Sequence, residues 1–194
     1  MKDSDSHTTR AKDLICNAFL SLMKEKGFAK ITVQELVKKA RVNRSTFYLY
    51  YVDKYDLLEQ LEDRWLKGLL DFESKPTYSL SIWNRSEIDE MSNTEQIVRY
   101  AYNNGDLFAL LALDESTGTA FLNKQAERIR DLWEKMKFTE KLTVPKSYAV
   151  AAVVGMSNTL LIEWAKNGFY EPPEKFLDIF TIFIQNVLLS VFEK

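Results

Sequence analysis

The chain has 194 residues, 46% of them hydrophobic, and a formal net charge of −2. This composition is typical of a globular protein of one or two compact units, and it excludes disordered and collagen-like classes. Glycine and proline are scarce, at 6 and 4 residues. An all-β protein of this length needs many turns, which rely on both residue types, so the composition favours an all-α fold. The slightly acidic average argues against a nucleic-acid partner, because DNA-binding domains are typically basic.

Cysteine and histidine, which carry much nucleophilic and zinc chemistry, occur once each. The single cysteine, Cys16, and the single histidine, His7, exclude an intrachain disulfide and a typical zinc site. His7 lies in a polar N-terminal stretch where no ordered core would hold a Ser/His/Asp triad, and no Gly-rich phosphate loop occurs. We therefore expect no enzyme activity, no metal and no cofactor.

Membrane insertion and secretion are also not expected. Residues 1–10 lack the apolar segment of a signal peptide. The two richest apolar stretches, residues 148–162 and 176–192, are interrupted by polar side chains or are too short to span a bilayer. A cytoplasmic location is the expectation.

The first 73 residues predict four helices. Apolar residues recur at helical spacing over residues 10–26, with Thr8 or Thr9 as the N-cap and Gly27 at the end. Thr32 and Glu35 form a capping-box pattern for a short second helix.

Two further caps follow along the chain. Asn43 precedes a third helix over residues 44–50, and Asp53 caps a long fourth helix that begins at Lys54. Residues 75–93 have no clear period and are predicted to be a loop.

The remaining residues predict five helices. Two of them span residues 94–104 and 106–113 and meet at Gly105. Thr119 is the expected N-cap of the next helix. Pro145 opens a helix over residues 146–166, and Pro172-Pro173 opens the last one, over residues 174–192.

The second and third helices, two short segments around a tight turn, predict a helix-turn-helix. The second helix of this motif lies in the major groove, where its first residues reach base edges. Arg44 suits a bidentate contact to guanine or phosphate, and the hydroxyls of Tyr48 and Tyr50 suit phosphate oxygens. Lys54 stands at the positive end of the fourth helix, where a phosphate is favoured. The candidate DNA-contacting residues are Thr32, Asn43, Arg44, Ser45, Thr46, Tyr48, Leu49, Tyr50 and Lys54.

Charge is distributed unevenly along the chain. Residues 1–58 contain eleven Lys and Arg against seven Asp and Glu, a net charge of +4, whereas the rest of the chain carries −6. This asymmetry is expected of a basic DNA-binding head on an acidic regulatory body. The average of −2 therefore does not exclude DNA as a partner.

Residues 9–58 resemble the DNA-binding domain of TetR-type transcriptional regulators. The matching features are the Gly27-Phe28 helix end, Ile31-Thr32-Val33, and the run from Val42 to Lys54. The run departs from the family pattern at Leu49, where an aromatic residue is frequent, and at Tyr51, where Phe is usual.

The C-terminal half is similar to a subgroup of the same family. Residues 100–108 and 155–169 resemble regulators similar to the dihydroxyacetone-kinase operon activator. The TetR resemblance as a whole implies about nine helices, with a three-helix DNA-binding domain over residues 1–55. A larger helical bundle for effector binding and dimerisation would cover residues 56–194.

The resemblance also implies a pocket in the body for a small apolar or aromatic effector. Aromatic residues at helical spacing fit such a pocket, although they fit an ordinary core as well. The candidate pocket residues are Trp65, Phe72, Tyr102, Phe108, Trp133 and Trp164.

A homodimer that reads a palindromic operator is implied too, since a two-fold protein matches a two-fold DNA site. The candidate interface residues are Ala152, Gly155, Phe180, Ile184 and Val187. Because most TetR-type regulators repress, the expected function is a repressor controlled by an effector. The alternative is a co-activator or interaction protein of the same fold that acts mainly through a protein partner, as Leu49 and the acidic body suggest.

Overall fold

The computed structural model describes residues 3–73, 93–135 and 137–192. Over these residues it contains nine α-helices and two short 3-10 helices, as the composition predicts. The helices are α1 (Asp3–Lys26), α2 (Val33–Ala40), α3 (Arg44–Tyr50), α4 (Lys54–Glu73), α5 (Asn93–Asn103), α6 (Gly105–Leu113), α7 (Gly118–Lys135), α8 (Lys146–Lys166) and α9 (Pro173–Val191). The 3-10 helices are Phe28–Lys30 and Phe138–Lys141. The loop predicted for residues 75–93 lies outside the described residues except for Asn93, which begins α5.

The chain packs as two compact units. The first comprises Met1–Arg64 and Leu110–Thr119, and the second comprises Trp65–Ala109 and Ala120–Lys194. These units are defined by packing, and they divide α4 after Arg64 rather than near residue 55. The predicted division at residue 55 concerns function, and it stays a prediction.

Local signals in the sequence set the turns of the first unit. Gly27 adopts a φ of 74°, and its N–H donates to Met23 O, which closes the end of α1. Thr32 and Glu35 form the predicted capping box at the start of α2. Arg41 ends α2 in the left-handed region, at φ 55°, and thereby turns the chain toward α3. Phe47 of α3 is fully buried and anchors that helix in the core of this unit.

Two predicted N-caps are wrong. Helix α1 begins at Asp3, so Thr8 and Thr9 lie inside it. Helix α7 begins at Gly118, so Thr119 lies inside it, and the turn before the helix is held by Asp114. Asp114 Oδ1 accepts hydrogen bonds from the N–H groups of Ser116 and Thr117, and Gly118 N donates to Asp114 O.

The second unit has an apolar core between its last three helices. Ile129 and Trp133 of α7 pack with Val150 and Val154 of α8 and with Val191, the last residue of α9. Helix α8 is long and apolar enough to cross a membrane by length and composition alone, which the sequence reading did not anticipate. Its buried residues in this core explain that apolarity.

Candidate nucleic-acid interface

Helix α3 turns Phe47 toward the core and presents a mostly polar side, which also carries Leu49, to solvent. Phe47 is fully buried, with its ring 5.4 Å from that of Tyr48 and 5.5 Å from that of Tyr51. The helical repeat then directs Arg44, Ser45, Tyr48 and Leu49 outward, and all four are exposed. The predicted reading face is therefore solvent-accessible.

Arg44 and Tyr48 form a pre-arranged pair on this face. They are one helical turn apart, and Arg44 Nη2 donates a hydrogen bond to Tyr48 Oη at 3.3 Å. The guanidinium also lies over the Tyr48 ring, 5.7 Å from its centroid. This contact restricts the long Arg44 side chain, so less side-chain entropy is lost when it binds a base or a phosphate.

The other residues predicted on α3 differ in accessibility. Leu49 is 72% exposed, at the position that departs from the family pattern. Tyr50 and Thr46 are only half-buried. Lys12 Nζ lies over the Tyr50 ring, 5.3 Å from the centroid, and brings a positive charge that the sequence reading missed. Its position on the exposed side of α1 was the available signal.

Two of the residues predicted to contact DNA, Asn43 and Thr32, stand at helix N-caps, and their side chains differ in their hydrogen bonds. Asn43 caps α3 by its backbone and makes no side-chain cap hydrogen bond. The Thr32 hydroxyl, in contrast, accepts from Glu35 N and donates to Glu35 Oε2 at 2.8 Å. Hydrogen bonds from Lys26 and then from Thr32 lower the pKa of Glu35 to about 2. The Thr32 hydroxyl is thus engaged in the capping box that stabilises the start of α2.

Asp53 caps the start of α4, as the sequence predicts. Its Oδ1 accepts from the N–H groups of Tyr55 and Asp56, while Asp56 Oδ2 accepts from Val52 N, before the helix. The carboxylate of Asp53 therefore occupies two of the first N–H groups of α4. A phosphate contact at this helix end stays a prediction.

The Lys54 ammonium is tied to the backbone before α2. Its Nζ donates to Phe28 O and to Ala29 O, both at 3.2 Å, and lies 4.6 Å from the centroid of the Phe28 ring. An ammonium has three N–H groups, so one of them is left for a phosphate after these two bonds. Lys54 thus has a structural role at this turn, and its contact with a phosphate stays a prediction.

Asp114 joins the same region to the residues before α7. Its Oδ2 accepts a hydrogen bond from Phe28 N at 2.8 Å, across 86 residues of sequence. Burial raises the pKa of the Asp114 carboxyl, but the hydrogen bonds from Phe28, Ser116 and Thr117 together hold this pKa below its ordinary value. Sequence reasoning missed this residue because its partner is remote in the chain.

Tyr51, the second departure from the family pattern, is buried. Its hydroxyl lies 3.6 Å from Cys16 Sγ, and burial, followed by this contact, raises the pKa of Tyr51. The contact with Cys16 gives the buried Tyr51 hydroxyl a polar partner, which explains how Tyr is accommodated in place of Phe.

Five of the six candidate pocket residues have described side chains, and their ring contacts fall into three groups. Trp65 and Phe108 are fully buried and stacked, with ring centroids 5.1 Å apart. Tyr102 is 42% exposed and stacks on Trp164, which in turn stacks on Phe176 at 3.8 Å. Trp133 packs on Phe192. The side chain of Phe72 lies outside the described residues.

The five candidate interface residues differ in how far their side chains are exposed to solvent. Ala152 and Gly155 are exposed on α8, and no described atom lies within 4 Å of a Cβ built on Gly155. Phe180 and Ile184 are buried within the chain itself, and Val187 is half-buried. The large exposed apolar residues of α9 are instead Ile182, Phe183 and Leu189.

Comparison with known proteins finds sequence matches in the N-terminal part of the chain. Residues 15–61 match the family model described as bacterial regulatory proteins, tetR family. A 59-residue segment is 36% identical to YxbF, an uncharacterized HTH-type transcriptional regulator of Bacillus subtilis (strain 168). This match covers 30% of the chain but only 16% of that protein's length.

Solved structures resemble the chain over nearly its full length. A putative TetR-family transcriptional regulator from Syntrophomonas wolfei str. Goettingen superposes with a TM-score of 0.74 at 16% identity, covering 93% of this chain and 96% of that one. The dihydroxyacetone kinase operon activator DhaS gives 0.60 at 17% identity, covering 95% and 98%. At these identities the likeness is one of fold, so the TetR-like all-α fold with an N-terminal helix-turn-helix is confirmed.

Proposed function

We propose that this chain, with its tetR-family helix-turn-helix and TetR-like fold, is a transcriptional regulator that binds operator DNA through α3. The observation that carries the proposal is the exposed face of α3, where Arg44 and Tyr48 are already paired over a helix anchored by buried Phe47. A guanidinium fork and a phenol hydroxyl at this position suit base edges and phosphates in the major groove.

Each exposed residue of this face has a distinct expected role. Arg44 binds guanine or a phosphate in bidentate fashion, and Tyr48 donates to a phosphate oxygen. Leu49, at 72% exposure, suits the methyl group of thymine, which is the apolar feature of the major groove. Asn43 and Ser45 supply hydrogen-bonding groups next to Arg44.

We infer a homodimer from the outer surface of α8 and α9. Tyr148, Ala152 and Gly155 lie along one exposed side of α8, while Ile182 and Phe183 are exposed on α9. Small residues on one helix and large apolar residues on its neighbour allow two copies to pack closely. Phe180 and Ile184, buried in the chain, support this surface from beneath. A two-fold dimer would read a palindromic operator.

Control by a small effector in the body, a repressing effect on transcription and a cytoplasmic location complete the proposal. Ligand binding would shift the population of conformations that bind DNA. The resemblance to regulators like the dihydroxyacetone-kinase operon activator is a finer possibility within this proposal, and it favours the alternative of a co-activator that works through a protein partner. The direction of the effect on transcription distinguishes the two.

A gel-shift titration on the DNA upstream of the protein's own gene tests DNA binding. Wild-type protein should bind this DNA, and affinity should fall steeply between 50 and 200 mM salt, on the order of 10³-fold for about six phosphate contacts. Arg44→Ala should weaken binding by on the order of 10-fold or more, since a bidentate base contact is worth about 1–3 kcal/mol.

Lys141→Ala is the matched control, because Lys141 is an exposed base in the second unit. It should bind the operator as the wild type does. Equal affinity of the Arg44→Ala and Lys141→Ala variants would overturn the assignment of α3 as the reading helix.

A further inference from the structure

The 3-10 helix Phe28–Lys30 is held from two sides by charged groups that lie far from it in the sequence. Asp114 Oδ2 accepts a hydrogen bond from Phe28 N at 2.8 Å. From the other side, Lys54 Nζ donates to Phe28 O and to Ala29 O, both at 3.2 Å. All of these residues belong to the first unit. A carboxylate and an ammonium are therefore joined through one short turn of backbone.

This turn needs an acceptor from elsewhere at its first residue. The first N–H groups of a helix have no partner within it, and a Ser, Thr, Asn or Asp at the N-cap usually supplies one. Here the N-cap is Gly27, which makes no side-chain cap hydrogen bond. A Cβ built on Gly27 would lie 3.4 Å from Asp114 Oδ2, so the carboxylate packs closely against this position. Asp114 thus takes the place of the missing cap.

The same turn places the Lys54 ammonium. Two of its carbonyls accept from Nζ, and the ring of Phe28, a residue that is only 3% exposed, has its centroid 4.6 Å from Nζ. The ring of Tyr55 lies 5.4 Å from Nζ and contacts the Phe28 ring edge to face at 5.2 Å. A movement of Phe28 would therefore displace the carbonyls and the ring around the ammonium together.

We infer that Asp114 is a positioning residue for operator binding: it caps the 3-10 helix Phe28–Lys30 from outside and thereby holds the groups that fix the ammonium of Lys54 where a DNA phosphate meets it. This inference rests on the proposed function, because it requires the DNA contact of Lys54. An ammonium that is fixed before DNA arrives loses less side-chain entropy on binding. The Asp114 carboxylate acts without touching the DNA.

The sign of the effect separates this role from simple electrostatics. A carboxylate repels the phosphates of DNA, so its removal strengthens binding or leaves it unchanged if charge alone matters. Loss of the positioning role has the opposite sign. Asp114→Ala should weaken operator binding by about 3- to 10-fold, the entropic cost of ordering one long side chain. Glu115→Ala removes an adjacent, exposed carboxylate and should not weaken binding.

The first experiment needs no DNA. In the full-length protein the Hε protons of Lys54 lie next to the rings of Phe28 and Tyr55, so ring currents should shift their signal. The signal is identified in a carbon–proton correlation spectrum by its absence in Lys54→Met. In Asp114→Ala it should move toward the value of a solvated lysine, and in Glu115→Ala it should stay in place. An unchanged Lys54 signal in Asp114→Ala would overturn the proposal.

The second experiment is a double-mutant cycle on operator affinity. It is measured well below the melting temperature of every variant and corrected for the active fraction by stoichiometric titration. If Asp114 acts through Lys54, Asp114→Ala should change the affinity of Lys54→Met by less than about 2-fold. In an Arg44→Ala background the full loss should remain, since independent contacts add. Equal losses in both backgrounds would mean that Asp114→Ala only loosens the head as a whole, and would reject the positioning role.

Asp114→Asn covers the case in which Asp114→Ala folds poorly. It keeps one carbonyl oxygen for Phe28 N, so its operator affinity and its Lys54 signal should both lie between those of the wild type and Asp114→Ala. A loss of affinity without a change of the Lys54 signal would separate the turn from DNA binding and contradict the inference. Wild-type protein that does not bind operator DNA rejects the proposed function instead, and the Lys54 signal distinguishes the two failures.

Discussion

Removal of the Asp114 carboxylate should destabilise the first unit more than removal of a partly exposed side chain usually does. The carboxylate accepts five hydrogen bonds, from Phe28 N, from the N–H and hydroxyl of Ser116, and from the N–H and hydroxyl of Thr117. In Asp114→Ala the exposed Ser116 groups regain water. The N–H of Phe28, a residue that is only 3% exposed, and the N–H groups in the turn before α7 lose their acceptor.

The magnitude follows from these two losses. A hydrogen bond to a charged acceptor is worth about 1.5–3 kcal/mol, and loss of an N-cap costs about 1 kcal/mol. The sum is about 3 kcal/mol, which corresponds to a fall in melting temperature of roughly 6–12 °C for a chain of this size. Asp114→Asn keeps one carbonyl oxygen and should lose about half as much.

The pH dependence has a defined sign. Because the folded-state pKa of Asp114 is lowered from its ordinary value of 3.8, its contribution is fully present above that value and is lost as the pH falls through the folded pKa. The difference in melting temperature between wild type and Asp114→Ala should therefore be constant from pH 7 to about pH 5 and should shrink below about pH 3.8.

Thermal unfolding followed by circular dichroism is the assay, with Glu115→Ala as the control. Glu115 is adjacent, exposed and equally charged. If Asp114→Ala melts within 1 °C of Glu115→Ala, the carboxylate does not hold Phe28 and the argument is refuted.

Three other predictions concern the head and the helix pair α8–α9. Gly155→Arg should convert the proposed dimer to a monomer in light scattering with unchanged helicity, because no described atom lies within 4 Å of the added Cβ and glycine is a poor helix former; an unaltered dimer mass would exclude this surface. Lys54→Met keeps the apolar stem over Phe28 but removes the donors to Phe28 O and Ala29 O, so it should lower the melting temperature by about 2–4 °C as well as weaken operator binding; weaker binding at an unchanged melting temperature would show that Lys54 is only a phosphate ligand. Since Lys26 and Thr32 lower the pKa of Glu35 to about 2, the capping box should persist at pH 3.5, and the Thr32 amide signal should titrate with a midpoint near 2; a midpoint near the ordinary 4.5 would contradict the ion pair and capping box.

The sequence determined most of the local structure because those signals act within a few residues. Thr32 and Glu35 are three positions apart, Asp53 reaches the next helical N–H groups, and Gly27 needs only its own freedom at positive φ. The helix-turn-helix could be predicted for the same reason, and the exposed face of α3 follows from the helical repeat once Phe47 is placed in the core.

The tertiary structure decided what depends on contacts between distant residues. Asp114 and Phe28 are 86 residues apart, and the ammonium of Lys54 reaches a carbonyl 26 residues away, so no local pattern predicts either contact. Helix α9 is apolar on several sides, and periodicity could not distinguish Phe180, which faces the core, from Ile182, which faces solvent. Trp65 Nε1, Gln125 Oε1 and Asn158 Oδ1 have no hydrogen-bond partner within the described part of the chain, and the sequence could not predict this because it depends on everything packed around each atom.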